Sequence, residues 1–509
     1  MVRYPFTLQQ LFQLAGFHPT TFADVPVDHR ELLVGDLTCD SRQVSPGAVF
    51  VAIPGSQVDG HEFLLEAATG GAICAIVQSR NPNIPLPQIE TNCPASVYGK
   101  LCMKLLVGNV NPVQTAGVTG TNGKTTTTWM LQSILQAAGK QAGVIGTICH
   151  HDGIHQIPSK NTTPDAKTLA ELFESMARNH TSHCAMEISS HALAQNRAAG
   201  VQLSAAAITN ITQDHFDYHG HIDSYRKAKA SVHELLHPEA PLLLNLDDPV
   251  SRTIQDEFSG MLPLITCGTQ SRGAEIFAEV VSQNHRSTQV RLHLAQGDCN
   301  VRIKMVGTHN VSNCLMAAGL AEQMGMNQDA IVRGLQGLQS VPGRLQRIDM
   351  GQPFQVFVDY AHTPDALQHC LQTVKSITTN RVICVFGAGG DRDRSKRPVM
   401  GNVASAADRC IVTTDSPRTE SPEAIIADVV AGIPATTDCL SVVQRKDAIT
   451  IAIQEASVGD TVIITGRGHE TMQEVGEHLV PLQDAACVQT ALQTLGYTYV
   501  PSTQYSRSA

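Results

Sequence analysis

The chain has 509 residues, 42% of them hydrophobic, enough for several ordinary globular cores and too many for wholesale disorder. Its 36 Lys and Arg stand against 46 Asp and Glu, a formal charge of −10, so no basic excess exists to neutralise a nucleic-acid backbone. The opening "MVRYPFTLQQLFQLAGF" lacks a signal-peptide core, no apolar run is long enough for membrane insertion, and the 14 cysteines form no CxxC pair. A cytoplasmic monomer with reduced thiols is the expectation.

Three sections differ in character. Residues 1–108 carry strand-like runs, "GAVFVAIPG" and "GAICAIVQS", then a proline-rich loop, "NPNIPLPQIETNCPA", and a joint at "VGNVNP". Residues 109–340 repeat strand, glycine turn and helix. "PVQTAGVTG", "SHCAMEIS", "LSAAAITNI" and "APLLLNLDD" are near-continuous apolar runs, as buried parallel strands require. After a second joint at "LQSVPGRLQ", residues 341–509 hold "FQVFVDYAH", "RVICVFGAGG", "RCIVTTDSPR" and "DTVIITGRGHE". Each is an apolar strand running into polar or glycine-rich residues at its carboxyl end, where open parallel sheets bind ligands. The predicted class is α/β.

"TGTNGKTTTT" has the parts of a triphosphate cradle. Gly120 and Gly123 let backbone N–H groups approach phosphate, Lys124 supplies a compact charge, and the Thr125 hydroxyl suits Mg²⁺. The apolar helical pattern "WMLQSILQAAG" follows, so the loop sits at a helix N-terminus. The common pattern wants glycine at position 118; this chain has Val118, with Gly117 one step back, which counts against kinases, GTPases and motors. A glycine turn entering a helix without a ligand is the plain alternative.

The blocks "GVTGTNGKTTT", "KNTTPD", "MEISSHALAQNR", "TNITQDHFDYHG", "YRKAK", "GTHNVSN", "PGRLQ", "DYAHTPD", "GGDRDRSKRP", "TTDSPRTE" and "GRGHE", in this order, resemble the Mur ligases over nearly the whole chain. The resemblance implies three α/β domains: a UDP-sugar-binding N-terminal domain, a central P-loop ligase domain on a mostly parallel sheet, and a C-terminal Rossmann-like domain. It implies an ATP-dependent amide-bond ligase of peptidoglycan precursor synthesis, whose acceptor carboxylate becomes an acyl phosphate. Two anions meet in that step, so positive charge must be concentrated there.

The same resemblance places ATP on Gly120, Thr121, Asn122, Gly123, Lys124, Thr125 and Thr126, with Asn310, Arg344 and Asp359; closure of the C-terminal domain is expected to complete the set. Catalytic roles fall on Lys124, Glu187, His215 and Lys229. Two Mg²⁺ ions are implied, held by Thr125, Glu187, His215 and Lys229, the lysine as its CO₂ carbamate. Alone, a strand-end Glu187 reads as a solvated cap, His215 as structural, Lys229 as a surface lysine with Lys227 as competitor, and Asn313 as a helix cap.

For the UDP-MurNAc-L-Ala-D-Glu acceptor, the resemblance implicates Cys39, Ser41, Ser56, Gln57 and Val58 around the uridine. It adds Asn161, Thr162, Thr163, Ser189, Gln195 and Arg197 along the muramoyl peptide. "TTDSPRTE" resembles the diaminopimelate-adding branch, in which Arg418 pairs the second carboxylate of meso-diaminopimelate. Arg392, Asp415, Ser416, Pro417, Gly466 and Glu470 complete that pocket. Ser416 departs from the asparagine usual in the branch, and a structural Pro-Arg turn is the alternative for Arg418. Rival readings are the glutamate-, dipeptide- or folate-glutamate-adding ligases, or a nucleotide-dependent switch.

Overall fold

In the computed structural model, which describes residues 6–17, 25–55, 58–212, 216–271 and 273–498, the apolar runs become parallel strands buried on both faces. The chain divides into two compact units. The first is Met1–Glu279 with Arg291–Asn300 and Ser312–Gly337; the second is Val280–Val290, Val301–Val311 and Leu338–Ala509.

The first unit opens with a parallel sheet in the order β1 (Asp36–Thr38), β2 (Ala48–Val51), β3 (Cys74–Val77), β4 (Gln88–Glu90). Alternation decides its two faces. Phe50, Ala75 and Val77 pack with Leu64 and Ala67, whereas Val49, Val51, Cys74 and Ile76 share a core with Val97, Leu101 and Leu105 of helix Pro94–Leu106. The proline-rich stretch expected as loop is therefore partly ordered. It contributes β4, and Pro94 starts that helix, where its missing N–H costs no helical bond.

A second sheet of this unit runs through β5 (Gln114–Thr119), β6 (Ala142–Ile145), β7 (Cys149–His151), β8 (Gln156–Pro158), β9 (His183–Glu187), β10 (Ala205–Ile208), β11 (Leu242–Asn245) and β12 (Leu264–Gly268). Its spatial order is β12-β11-β10-β5-β9-β6-β7-β8. The six strands from β12 to β6 are parallel; β7 and β8 add an antiparallel edge. Strands β13 (Ile276–Gln283), β14 (Thr288–Leu294) and β15 (Gly297–Ile303) straddle the division between the units. The chain passes from β9 on one side of β5 to β10 on the other. The carboxyl ends of β5, β9 and β10 thus form a switch point of the kind that binds ligands.

The second unit holds a sheet in the order β16 (Gln346–Arg347), β17 (Gln355–Val358), β21 (Thr461–Ile464), β18 (Val382–Phe386), β19 (Arg409–Thr413), β20 (Cys439–Val442), parallel except for β16. Cys384, Phe386, Val412 and Ile463 face one helical layer; Ile383, Val385, Ile411, Val462 and Ile464 face the other. A hairpin of β22 (Met472–Val475) and β23 (His478–Pro481) follows β21. All fourteen cysteines are free thiols, nine of them buried. Among the described residues no helix is long and apolar enough to cross a membrane.

Candidate active site

Strand β5 ends at Thr119, and helix Lys124–Ala137 begins after a turn with Gly120 at φ +145° and Gly123 at φ +89°. A side chain at Gly120 would collide with the Thr209 hydroxyl, and one at Gly123 with the Asn313 amide oxygen. Glycine is needed here for close approach as well as for dihedral freedom. The segment after β10 braces the loop. Thr121 N donates to Asn210 O at 2.8 Å, Asn122 N to Asn210 Oδ1 at 2.9 Å, and Thr209 Oγ1 to Asn122 O at 2.6 Å. The first helical bond is Thr127 N to Gly123 O, so Lys124, Thr125 and Thr126 supply first-turn N–H groups outside the helical ladder. Lys124 Nζ folds back onto Gly120 O at 2.8 Å and Thr121 O at 2.9 Å.

Beside this loop, β9 delivers Glu187, fully buried and in register with Val118 of β5. Its Oε2 accepts Thr125 Oγ1 at 2.8 Å and Thr147 Oγ1 at 2.9 Å, and its Oε1 accepts Thr147 N at 2.9 Å. The solvated-cap alternative for Glu187 is excluded by that burial. A carboxylate and a threonine hydroxyl in contact are an oxygen donor set suited to a hard divalent cation.

Lys229 is 1% exposed, whereas Lys227 is exposed, which corrects the surface-lysine reading. Both lie on helix Ile222–Ala230, but Lys229 shares the buried face with Tyr225, four residues earlier. Its Nζ stands 4.4 Å from the Tyr225 ring centroid and donates to Gly120 O at 2.7 Å. His215, Ser56 and Gln57 lie outside the described residues.

The peptide-binding candidates cluster around Glu187. Thr163 Oγ1 donates to Glu187 O at 2.9 Å and accepts Ser189 N at 2.9 Å, while Thr162 Oγ1 meets Thr147 Oγ1 at 3.0 Å. Ser189 caps helix Ser190–Ala194. Arg197 donates from Nε to Gln195 Oε1 at 2.8 Å and from Nη1 to Thr163 O at 3.3 Å. Asn161 is exposed. Cys39 and Ser41 follow β1, and Val58 follows β2, on the carboxyl side of the first sheet; Cys39 and Val58 are exposed.

On helix Thr308–Gln323, Asn313 Oδ1 accepts Thr127 Oγ1 at 3.4 Å in the first unit. Asn310, within the second unit, donates from Nδ2 to Val306 O at 2.8 Å. Asp359 follows β17 and accepts Leu345 N at 2.6 Å and Ala361 N at 2.8 Å; burial raises its pKa against the opposing charge of Arg344. The Arg344 guanidinium lies 4.7 Å over the Tyr360 ring.

The amino-acid candidates occupy the carboxyl ends of β18, β19 and β21. Arg392 is exposed in the loop after β18. Asp415 through Arg418 follow β19, and Asp415 Oδ2 packs where a side chain on Gly466, at φ +111°, would stand. Pro417 O presses so closely on Gly390 that no side chain fits there. Ser416 Oγ accepts Arg467 Nη1 at 2.8 Å and Glu474 N at 3.3 Å, so it braces the pocket from within. Arg418, at φ +51°, donates from Nη1 to Gly390 O at 2.7 Å and pairs Glu474 Oε2 through Nε at 2.5 Å. Burial pushes the Glu470 carboxyl up to about 7, with Arg467, 3.3 Å away, opposing it.

Several residues of these networks escaped sequence reading. Thr147 ends the β6 connection, where the strand-end rule finds it; Arg467 sits inside "GRGHE". Arg445 and Asp484 carry no local signal. They form a pair with no exposure at 2.7 and 2.8 Å, and Arg445 Nη2 also donates to Thr465 O at 2.8 Å, tying down the end of β21.

A phosphate loop at the switch point of a parallel sheet, joined to a second Rossmann-like unit, defines a nucleotide-dependent α/β protein. Residues 34–103 match the model of the Mur ligase family, catalytic domain; residues 118–321 match the Mur ligase middle domain; residues 343–468 match the Mur ligase, glutamate ligase domain. A UDP-N-acetylmuramoyl-L-alanyl-D-glutamate–2,6-diaminopimelate ligase of Gloeobacter violaceus is 38% identical over 95% of this chain and 98% of its own length. The enzyme of the same name from Geobacillus kaustophilus is 38% identical over 90% of this chain and 95% of its own. A solved structure bearing that name superposes with a TM-score of 0.71 at 29% identity, covering 97% of this chain and all of that one. The chain belongs to the Mur ligase family.

Proposed function

We propose that this protein joins meso-2,6-diaminopimelate to the D-glutamate side-chain carboxylate of UDP-MurNAc-L-Ala-D-Glu, using ATP, in the cytoplasm. The names of its relatives support the substrates, and we take the domains as 1–108, 109–340 and 341–509. The observation that carries the reading is the Thr125–Glu187 contact. It puts a buried carboxylate and a threonine hydroxyl together at the first turn of the phosphate-loop helix, an oxygen pair that would hold a divalent cation to offset the phosphate charge.

In this reading the acceptor carboxylate attacks the γ-phosphorus of ATP, ADP leaves, and an acyl phosphate forms. The diamino acid's amine then attacks the acyl carbon, loses a proton, and phosphate departs as the amide forms. Lys124 and the N–H groups of the first helical turn orient and neutralise the phosphates. Thr125 and Glu187, with His215, would hold Mg²⁺, which supplies Lewis-acid charge neutralisation when bound. Lys229 is proposed to react with CO₂, its amine forming an N–C bond with loss of a proton. That step replaces a buried ammonium by an anionic metal ligand. Thr162, Thr163, Ser189, Gln195 and Arg197 position the acceptor peptide, and Arg418, Asp415 and Glu470 position the diamino acid. Arg344, Asp359 and Asn310 are assigned to ATP.

Phosphate release measured with each substrate omitted in turn tests the reading. Release requiring both the UDP-sugar peptide and diaminopimelate, with a product of the summed mass less water, is expected. ATP hydrolysis indifferent to both substrates would mark a switch instead.

A further inference from the structure

The Arg418 side chain is not idle in the protein's own structure: it is answered by a carboxylate from the hairpin that follows. Glu474 lies on β22, and the backbone fixes it there. Arg418 N donates to Glu474 O at 3.1 Å, Gly476 N donates to Arg418 O at 2.7 Å, and Arg418 bridges to Val475. The Glu474 N–H is held in turn by Ser416 Oγ at 3.3 Å.

A guanidinium offers two forks to a planar carboxylate, one along Nε and one across its terminal nitrogens. On Arg418 the terminal fork is engaged by Gly390 O through Nη1. The Nε fork is the one on which Glu474 sits. A second carboxylate arriving with a substrate therefore meets an anion already in place on the fork that Gly390 leaves open. The Arg418 and Glu474 side chains are 25% and 47% exposed, so water screens the pair and its exchange is feasible.

We infer that Glu474 is a specificity-determining residue: its carboxylate occupies Arg418 in the free protein and is exchanged for the second carboxylate of the incoming diamino acid. The inference rests on the proposed function and adds a component to it. Affinity for a dicarboxylic amino acid is lowered by the fraction of protein in which Glu474 holds the fork. Glu474 also neutralises Arg418 for an amino acid with an ammonium and no second carboxylate, such as lysine, so it narrows the preference between the two.

The test is steady-state kinetics of the full chain and of Glu474→Gln, with diaminopimelate and lysine as alternative substrates and saturating ATP and UDP-sugar peptide. In Glu474→Gln the KM for diaminopimelate falls about threefold or more, kcat changes less, and the diaminopimelate-to-lysine ratio of kcat/KM rises. The same substitution made in Arg418→Ala leaves the KM for diaminopimelate unchanged, because no fork remains to compete for. An unchanged or raised KM in Glu474→Gln, or an equal shift in both backgrounds, overturns the inference. Absence of product from the unmutated chain with diaminopimelate overturns the functional reading itself, and this inference with it. Glu474→Ala, checked for an unaltered melting temperature, separates lost competition from a disturbed hairpin.

Discussion

Lys229 donates to the carbonyl of Gly120 at 2.7 Å, the same oxygen that Lys124 reaches at 2.8 Å. Two ammonium groups converge on the first glycine of the phosphate loop, and one of them comes from a helix more than a hundred residues away in the chain. Burying an ammonium is costly unless it is paired or chemically altered. Lys229→Ala is expected to lower turnover by about 10²-fold or more, and Lys227→Ala to leave it near normal. If the carbamate forms, stripping CO₂ from the buffer lowers the rate and bicarbonate restores it. A rate indifferent to CO₂, with Lys229 unmodified by mass in the active enzyme, contradicts that step.

Glu187 accepts three hydrogen bonds from Thr125 and Thr147. Glu187→Gln preserves its shape and removes its charge. The Mg²⁺ concentration for half-maximal activity should rise by about 10–100-fold. An unchanged Mg²⁺ dependence would move the metal away from Glu187.

Arg418→Ala removes the cation proposed to pair the second carboxylate of diaminopimelate. kcat/KM for diaminopimelate is expected to fall by a factor corresponding to about 2–5 kcal/mol, while nucleotide affinity measured by titration barely moves. A matched loss of both would make Arg418 part of the fold rather than of the pocket.

Glu470 sets a pH dependence. Its carboxyl titrates at about 7 in the folded protein against a usual 4.5. Below about 7 it is protonated and loses its attraction for an ammonium, so kcat/KM for diaminopimelate should decline as pH falls through that value. Glu470→Gln should lower and flatten the profile. The stability effect has the opposite sense. With a raised folded pKa, the contribution is complete below about 4.5 and is lost as pH rises toward about 7.

Arg445 and Asp484 are both fully buried, and Arg445 also holds the Thr465 carbonyl beside the diaminopimelate candidates. Arg445→Ala strands a buried carboxylate and should destabilise the second unit by about 3–5 kcal/mol in denaturant unfolding. A loss well under that range would mean the site relaxes or admits water.

The strands were legible because apolar runs of four to six residues have little choice when a sheet is covered on both faces. The phosphate loop was legible for a similar local reason: Gly120, Gly123, Lys124 and Thr125 are adjacent in sequence and act as one turn. Partners brought together by topology were not. Thr147 and Glu187 lie 40 residues apart, and Arg445 and Asp484 lie 39 apart. The first meeting depends on strand order and the second on the packing of helices Arg445–Glu455 and Asp484–Thr494, neither of which the local pattern encodes. Lys229 shows the limit most directly. Its sequence suggests a basic surface helix, and only the packing of Tyr225 on the same face reveals that one lysine of "YRKAK" points inward.

The central claim is that ATP activates the acceptor carboxylate. Label the D-glutamate side-chain carboxylate of the UDP-sugar peptide with heavy oxygen, run the reaction to completion with diaminopimelate, and weigh the inorganic phosphate. Phosphate carrying one labelled oxygen per amide formed is the predicted result. Unlabelled phosphate beside a full yield of tripeptide would contradict the account.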